Sequence, residues 1–188
     1  VGNNALYSNT SGSYSTACGY NALYANTSGV SNTAFGSYAL DAMTTGNYNV
    51  AVGSGCLGAA STGSNNVAVG TSALTSNTTA SNNVACGHEA LRQNTTGTQN
   101  TAVGGLALYT NTTNNNSTAI GFANLQLSTG AQNTGVGSYC LNSNTTGQNN
   151  IAMGHAAMQF NTTGGANTAL GEQALYVNTT ASNNVAVG

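Results

Sequence analysis

The sequence predicts an all-β protein, a parallel β-solenoid (β-roll) of eleven rungs of about 17 residues, and three observations predict it. A glycine recurs at Gly2, Gly19, Gly36, Gly53, Gly70, Gly87, Gly104, Gly121, Gly137, Gly154, Gly171 and Gly188, with a spacing of 17 ten times and 16 once. Counting each unit from that glycine as slot 1, slot 5 is always Leu or Met. Slots 15 to 17 always read β-branched, small, apolar, as in Val67-Ala68-Val69, which is a short strand by propensity. A helix fits poorly, because β-branched residues, Asn and Gly are abundant and no 3.6-residue stripe recurs.

Taken in order along the unit, slot 5 supplies the core ladder Leu6, Leu23, Leu40, Leu57, Leu74, Leu91, Leu108, Leu125, Leu141, Met158 and Leu175. Slots 8 to 11 read Asn-Thr-Thr-Gly in most units. They predict a turn in which Asn and Gly supply hydrogen bonds and positive φ. Slots 2, 3, 6, 7, 12 and 13 wander among Tyr, Ser, His, Glu, Gln, Asn and Gly, as solvent-facing positions do. One unit with about three core residues cannot fold alone, and stacking lets each rung bury the apolar face of its neighbour. Two strands of about five residues would give a flattened coil, and a triangular coil also fits; at ~4.8 Å per rung the rod is roughly 50 Å long. Residues 1–188 form one array without a linker, expected to be part of a longer rod.

Composition excludes several functions. With Lys+Arg 1 and Asp+Glu 3, no basic footprint for nucleic acid exists and no cationic face for a membrane. No apolar run is long enough to cross a bilayer, so membrane insertion is not expected. Cys18 and Cys86 stand in slot 17, Cys56 and Cys140 in slot 4, each as a small apolar substitute. Stacked slot-17 cysteines four rungs apart lie ~19 Å from each other, too far for a disulfide. The charged cluster His88, Glu89 and Arg92 reads as solvated surface. A single Asp, Asp41, excludes a repeated calcium site. No catalytic residue, metal site or cofactor is expected, and the chain is not read as an enzyme.

Two slots carry asparagine. In slot 8, Asn9, Asn26, Asn77, Asn94, Asn111, Asn144, Asn161 and Asn178 open Asn-Thr-[Ser/Thr] tripeptides. These match the glycosylation sequon, but also suit an internal ladder of amides, and Met43 and Ala60 in the same slot favour an inward position. Slot 14 is Asn except at Ser15 and Ser117, a second ladder with a polar requirement. Slot 16 is Ala17, Ala34, Ala51, Ala68, Ala85, Ala102, Ala119, Ala152, Ala169 and Ala186, with Gly135 in the eighth unit. If slots 15 and 17 fill the core, these alanines face outward and mark lateral contact with another rod. If slot 16 faces inward, slot 17 forms an outer apolar stripe, itself an interface. A sharp corner crowding slot 16 within one chain is the third reading.

The string Asn-Thr-Ala-φ-Gly-x-x-Ala-Leu-x-x-Asn-Thr-Thr, seen from Asn100 to Leu108 with Asn111 to Thr113 and from Asn167 to Leu175 with Asn178 to Thr180, resembles the 17-residue repeats of phage tail-fibre and bacterial surface-fibre proteins. It is more loosely similar to the shorter repeats of trimeric autotransporter adhesin heads. The resemblance implies an extracellular fibre or stalk at a cell or virion surface, often trimeric. The expected function is structural, with copies of the chain as partners. The alternative is a repetitive ligand-binding face, a glycan-binding adhesin or an ice-binding solenoid.

Overall fold

The computed structural model describes residues 2–188. It is an all-β parallel solenoid in which each unit contributes one strand: β1 (Thr16–Cys18), β2 (Thr33–Phe35), β3 (Val50–Val52), β4 (Val67–Val69), β5 (Val84–Cys86), β6 (Thr101–Val103), β7 (Thr118–Ile120), β8 (Thr134–Val136), β9 (Ile151–Met153), β10 (Thr168–Leu170) and β11 (Val185–Val187). The strands stack in chain order into one eleven-stranded sheet, slot upon slot: Thr33 pairs with Val50, Ala34 with Ala51 and Phe35 with Val52. The one-residue deletion in the eighth unit leaves this register intact, since Thr118 still pairs with Thr134 and Ile120 with Val136.

The expected second strand does not form. Its place is taken by turns, because backbone bonds within a rung alternate with bonds across rungs. The slot-4 amide of Ala22 reaches back to Gly19 O at 3.3 Å and the slot-8 amide of Asn26 to Leu23 O at 3.3 Å. Between them, Leu23 N donates to Ala39 O at 3.0 Å and Ala25 N to Asp41 O at 2.9 Å, both in the next rung. No extended run survives this alternation.

The expected positive φ at the Asn-Thr-Thr-Gly turn is not found: no described residue of slots 8 to 11 has it. Positive φ recurs instead at slots 3, 5 and 13, and slot 5 is the leucine ladder: φ is 51° at Leu23, 50° at Leu91 and 49° at Met158. The left-handed conformation costs a non-glycine residue roughly 1–2 kcal/mol. Full burial of a Leu side chain contributes about 1.5–3 kcal/mol and the cross-rung bond adds to it, so burial decides the residue. The slot-1 glycines have both reasons to be glycine. At Gly53 φ is 138°, and a Cβ there would stand 2.6 Å from Gly70 O.

The core is narrow. Leucines of slot 5, alanines of slot 4 and alanines of slot 16 fill it, with asparagines of slots 8 and 14 at its rim. This corrects the reading of slot 16 as the lateral surface. Ala34, Ala51, Ala68, Ala85, Ala102, Ala119, Ala152 and Ala169 are fully buried, and Ala17 and Ala186 in the terminal rungs pack on the same core. Alternation along a strand then turns slots 15 and 17 outward. The eighth rung shows the crowding directly: Gly135 replaces the slot-16 alanine because Asn124, the only slot-4 asparagine, presses its Oδ1 where a Cβ would stand.

Candidate functional site

The outward slots of β1 to β11 make the most distinctive surface. Slot 17 presents Phe35, Val52, Val69, Val103, Ile120 and Met153, which are 37% to 47% exposed. Beside it, slot 15 presents Thr33, Val50, Val67, Thr101 and Thr118, all half-buried, with Val84 and Ile151 more open. Neither slot carries a charge in any unit. The charged side chains stand in slots 2, 3 and 6 instead. The result is an uncharged stripe along the sheet, a continuous apolar column in slot 17 beside a mixed Thr and Val/Ile column in slot 15, with the small alanines inside and the large aliphatics outside. Roughly 50 Å of rod with columns ~7 Å apart gives an uncharged face on the order of 500 Å², comparable with the largest patch of an ordinary monomer, which is often functional.

The slot-8 asparagines point inward. Asn26 Nδ2 donates to Asn9 Oδ1 at 3.0 Å, Asn94 to Asn77 at 3.1 Å, Asn111 to Asn94 at 3.2 Å, Asn161 to Asn144 at 2.8 Å and Asn178 to Asn161 at 2.9 Å. Each Nδ2 also caps the slot-11 carbonyl of its own turn, as Asn77 does at Ala80 O, 3.1 Å. A sugar on Nδ2 would displace these bonds in the folded rod. The Thr pair next to them divides its work. Slot-9 hydroxyls donate across rungs, as Thr27 Oγ1 does to Thr44 O at 3.1 Å, and slot-10 hydroxyls face solvent.

Titratable groups are scattered. Arg92 Nη1 lies 3.5 Å from Glu89 Oε1 and donates to Tyr109 Oη at 2.7 Å. His155 Nδ1 stands 3.8 Å from Glu172 Oε1. That second pair is missed when residues are counted in sequence, but both occupy slot 2 of adjacent rungs. Aromatic contacts are pairwise or short runs: Tyr7 stacks on Tyr24 with centroids 5.4 Å apart, and Phe122, Tyr139 and His155 meet edge to face. Among the described residues no three His, Cys, Asp or Glu side chains converge as a metal site, and no helix is long and apolar enough to cross a membrane. A polar notch of about 410 Å³ opens where Gly165 and Ala166 interrupt the slot-12 and slot-13 side chains.

Cys56 and Cys140 are buried beside the leucines, with Cys56 Sγ 2.9 Å from Gly53 O. Burial pushes both thiols up to about 11, whereas Cys86 is an exposed thiol on the stripe. At pH 8 iodoacetamide should alkylate Cys86 in the folded chain and reach Cys56 and Cys140 only after denaturation, as read by peptide mass spectrometry. The raised values also fix a pH dependence. From 9.0, where an unperturbed thiol ionises, to about 11, the folded chain holds two protons that the unfolded chain releases. Stability therefore falls as pH rises through that window. A Cys56→Ala, Cys140→Ala variant should lose this part of the alkaline decline in thermal melts.

The chain matches no protein-family profile, no curated protein and no solved structure.

Proposed function

We propose that the chain is a structural segment of an extracellular fibre, filament or stalk, whose solenoid rods associate laterally through the outer faces of β1 to β11. The observation that carries this reading is the inversion of size across the strand. Slot 16, inside, never exceeds Ala, while slot 17, outside, is Val, Ile, Phe, Met, Leu or Cys in every unit. A rod working alone in water has no use for an uncharged aliphatic stripe. Two rods joined along it bury on the order of 1,000 Å², the lower bound for a specific interface, and three around a common axis bury more. The likeness of the repeat to tail-fibre and surface-fibre sequences supports a place at a cell or virion surface.

Substituting Val69→Asp together with Val103→Asp tests it. Both side chains point outward, so the expected result is retained β-signal in circular dichroism with dissociation into single rods of 18.6 kDa by light scattering. An unaltered chain that already runs as a single rod overturns the proposal. Oxidative cross-linking through Cys86 is the second readout, since parallel in-register rods bring Cys86 against its own copy.

The alternative ligand-binding face has one observation in its favour. Thr33, Thr101, Thr118, Thr134 and Thr168 stand outward in slot 15 of a regular sheet. Val50, Val67, Val84 and Ile151 interrupt that hydroxyl column, which leaves no continuous Thr array for an ice lattice. A monomeric chain that inhibits ice recrystallisation would nonetheless favour it.

A further inference from the structure

The stacking bonds of the rod are nearly uniform, and one junction departs from them. Three columns of cross-rung bonds run along the turn end of the coil, from the Asn-Thr-Thr-Gly turn to the residue that precedes each strand. In slot 14 each Asn Oδ1 accepts the next rung's slot-14 amide, at 3.0 Å from Asn83 N to Asn66 and from Asn100 N to Asn83. In slot 8 the amides form the ladder described above. In slot 9 each amide donates to the slot-9 carbonyl of the next rung, as Thr78 N does to Thr95 O at 3.1 Å and Thr95 N to Thr112 O at 2.8 Å.

Between the seventh and eighth rungs all three columns are disturbed together, slot 14 weakened and slots 8 and 9 broken. In slot 14 the acceptor is Ser117, whose Oγ is 3.4 Å from Asn133 N. The bond that slot-14 asparagines send to the next slot-11 carbonyl, such as Asn100 Nδ2 to Asn114 O at 2.7 Å, has no counterpart from Ser117. In slot 8 the eighth rung offers Ser128, whose hydroxyl turns to Gly130 O at 3.3 Å and leaves Asn111 Oδ1 buried without a partner. In slot 9 the expected Thr112–Thr129 bond is absent, while Thr129 N reaches onward to Thr145 O at 2.7 Å. The one-residue deletion falls at slot 10 of this same rung and shortens the turn that carries Thr129. Elsewhere a column fails singly. At Met43 the slot-8 ladder stops and Asn26 Oδ1 is orphaned, but Thr27 N still donates to Thr44 O and Asn49 N to Asn32 Oδ1 at 3.0 Å.

The strand side of the junction is intact. Pairing of β7 with β8 is complete, Leu108 N donates to Asn124 O at 3.0 Å and Thr118 N to Asn133 O at 2.9 Å. We propose that this junction is a built-in hinge, where the rod opens first along its turn end while β7 and β8 stay paired. The consequence is an array divided into cooperative blocks of seven and four rungs, residues 2–120 and 121–187. In a stacked repeat, stability is a sum of nearest-neighbour terms, so the weakest interface sets where opening begins. The inference concerns contacts inside one rod and stands whether or not rods associate.

Native-state hydrogen exchange read by mass spectrometry tests it. Segments 108–118 and 125–134 should exchange ~10-fold or more faster than segments 74–84 and 91–101, as the loss of even one buried bond implies. A restored chain carrying Ser117→Asn, Ser128→Asn and a Thr inserted between Thr129 and Gly130 should exchange at the rate of its neighbours. The converse chain, with Asn83→Ser, Asn94→Ser and Thr96 deleted, should acquire a second fast segment between the fifth and sixth rungs. It decides the matter if the restored chain fails to fold. Uniform protection from the fourth to the ninth rung, or a converse chain with no new fast segment, overturns the proposal.

Discussion

Leu91→Asp is expected to unfold the middle of the rod. Leu91 is fully buried, at the centre of a leucine column whose neighbours above and below are Leu74 and Leu108. A carboxylate there has no cation within its rung's interior and costs several kcal/mol. The backbone is not the cause: φ is 50°, and Asp tolerates the left-handed region better than Leu. Any loss is therefore chargeable to the side chain. A melting temperature lowered by on the order of 10 °C is the expected reading. Burial raises the pKa of the new carboxyl, so the folded state keeps a proton that the unfolded chain loses above about 3.9. Stability then falls as pH rises through that value, and the defect is smaller at pH 4 than at pH 7. Tyr24→Ser, which removes one stacked exposed ring, should cost only about 0.5–1.5 kcal/mol. Equal effects from the two changes would mean that the inner and outer faces are exchanged.

The contrast between those positions also explains what the sequence displays. Slot 5 is legible because burial tolerates nothing but Leu and Met, so a one-residue filter appears eleven times. The backbone at that slot is not legible. Left-handed residues are sought among Gly and Asn, and here the energy of burying Leu outweighs the conformational cost, which hides the turn beneath an apolar residue. The missing second strand follows from the same cause. The direction of slot 16 was open because Ala suits both a cramped interior and a close external contact. The sequence does hold a discriminating signal. The only Asn in slot 4, Asn124, and the only Gly in slot 16, Gly135, occur in one unit, as expected of two slots that face each other across a core. Once slot 16 is inside, the outer stripe follows from strand alternation alone.

Asn83→Leu should be nearly as damaging as a buried charge, although it preserves side-chain size. Asn83 is fully buried. Its Oδ1 accepts the Asn100 amide at 3.0 Å, and its Nδ2 donates to Gly97 O at 2.9 Å, Asn66 Oδ1 at 3.3 Å and Ser81 O at 3.3 Å. Gly97 O keeps a donor in Asn94 Nδ2, at 3.0 Å, and Asn66 Oδ1 keeps the amide of residue 83. The Asn100 amide keeps nothing. One orphaned buried amide costs about 1–3 kcal/mol and each lost bond about 0.5–1.5 kcal/mol, so a net loss of roughly 3 kcal/mol remains after the apolar gain. Asn83→Ser removes more volume yet retains an acceptor oxygen, one bond nearer the backbone, and Ser15 Oγ accepts the Asn32 amide at 3.1 Å in the first rung. The expected order of stability is wild type, then Ser, then Leu, while Thr79→Ala on the exposed turn stays within about 0.5 kcal/mol of wild type. If packing volume governed slot 14, Leu would be milder than Ser, and thermal melts of the two variants would show that reversal.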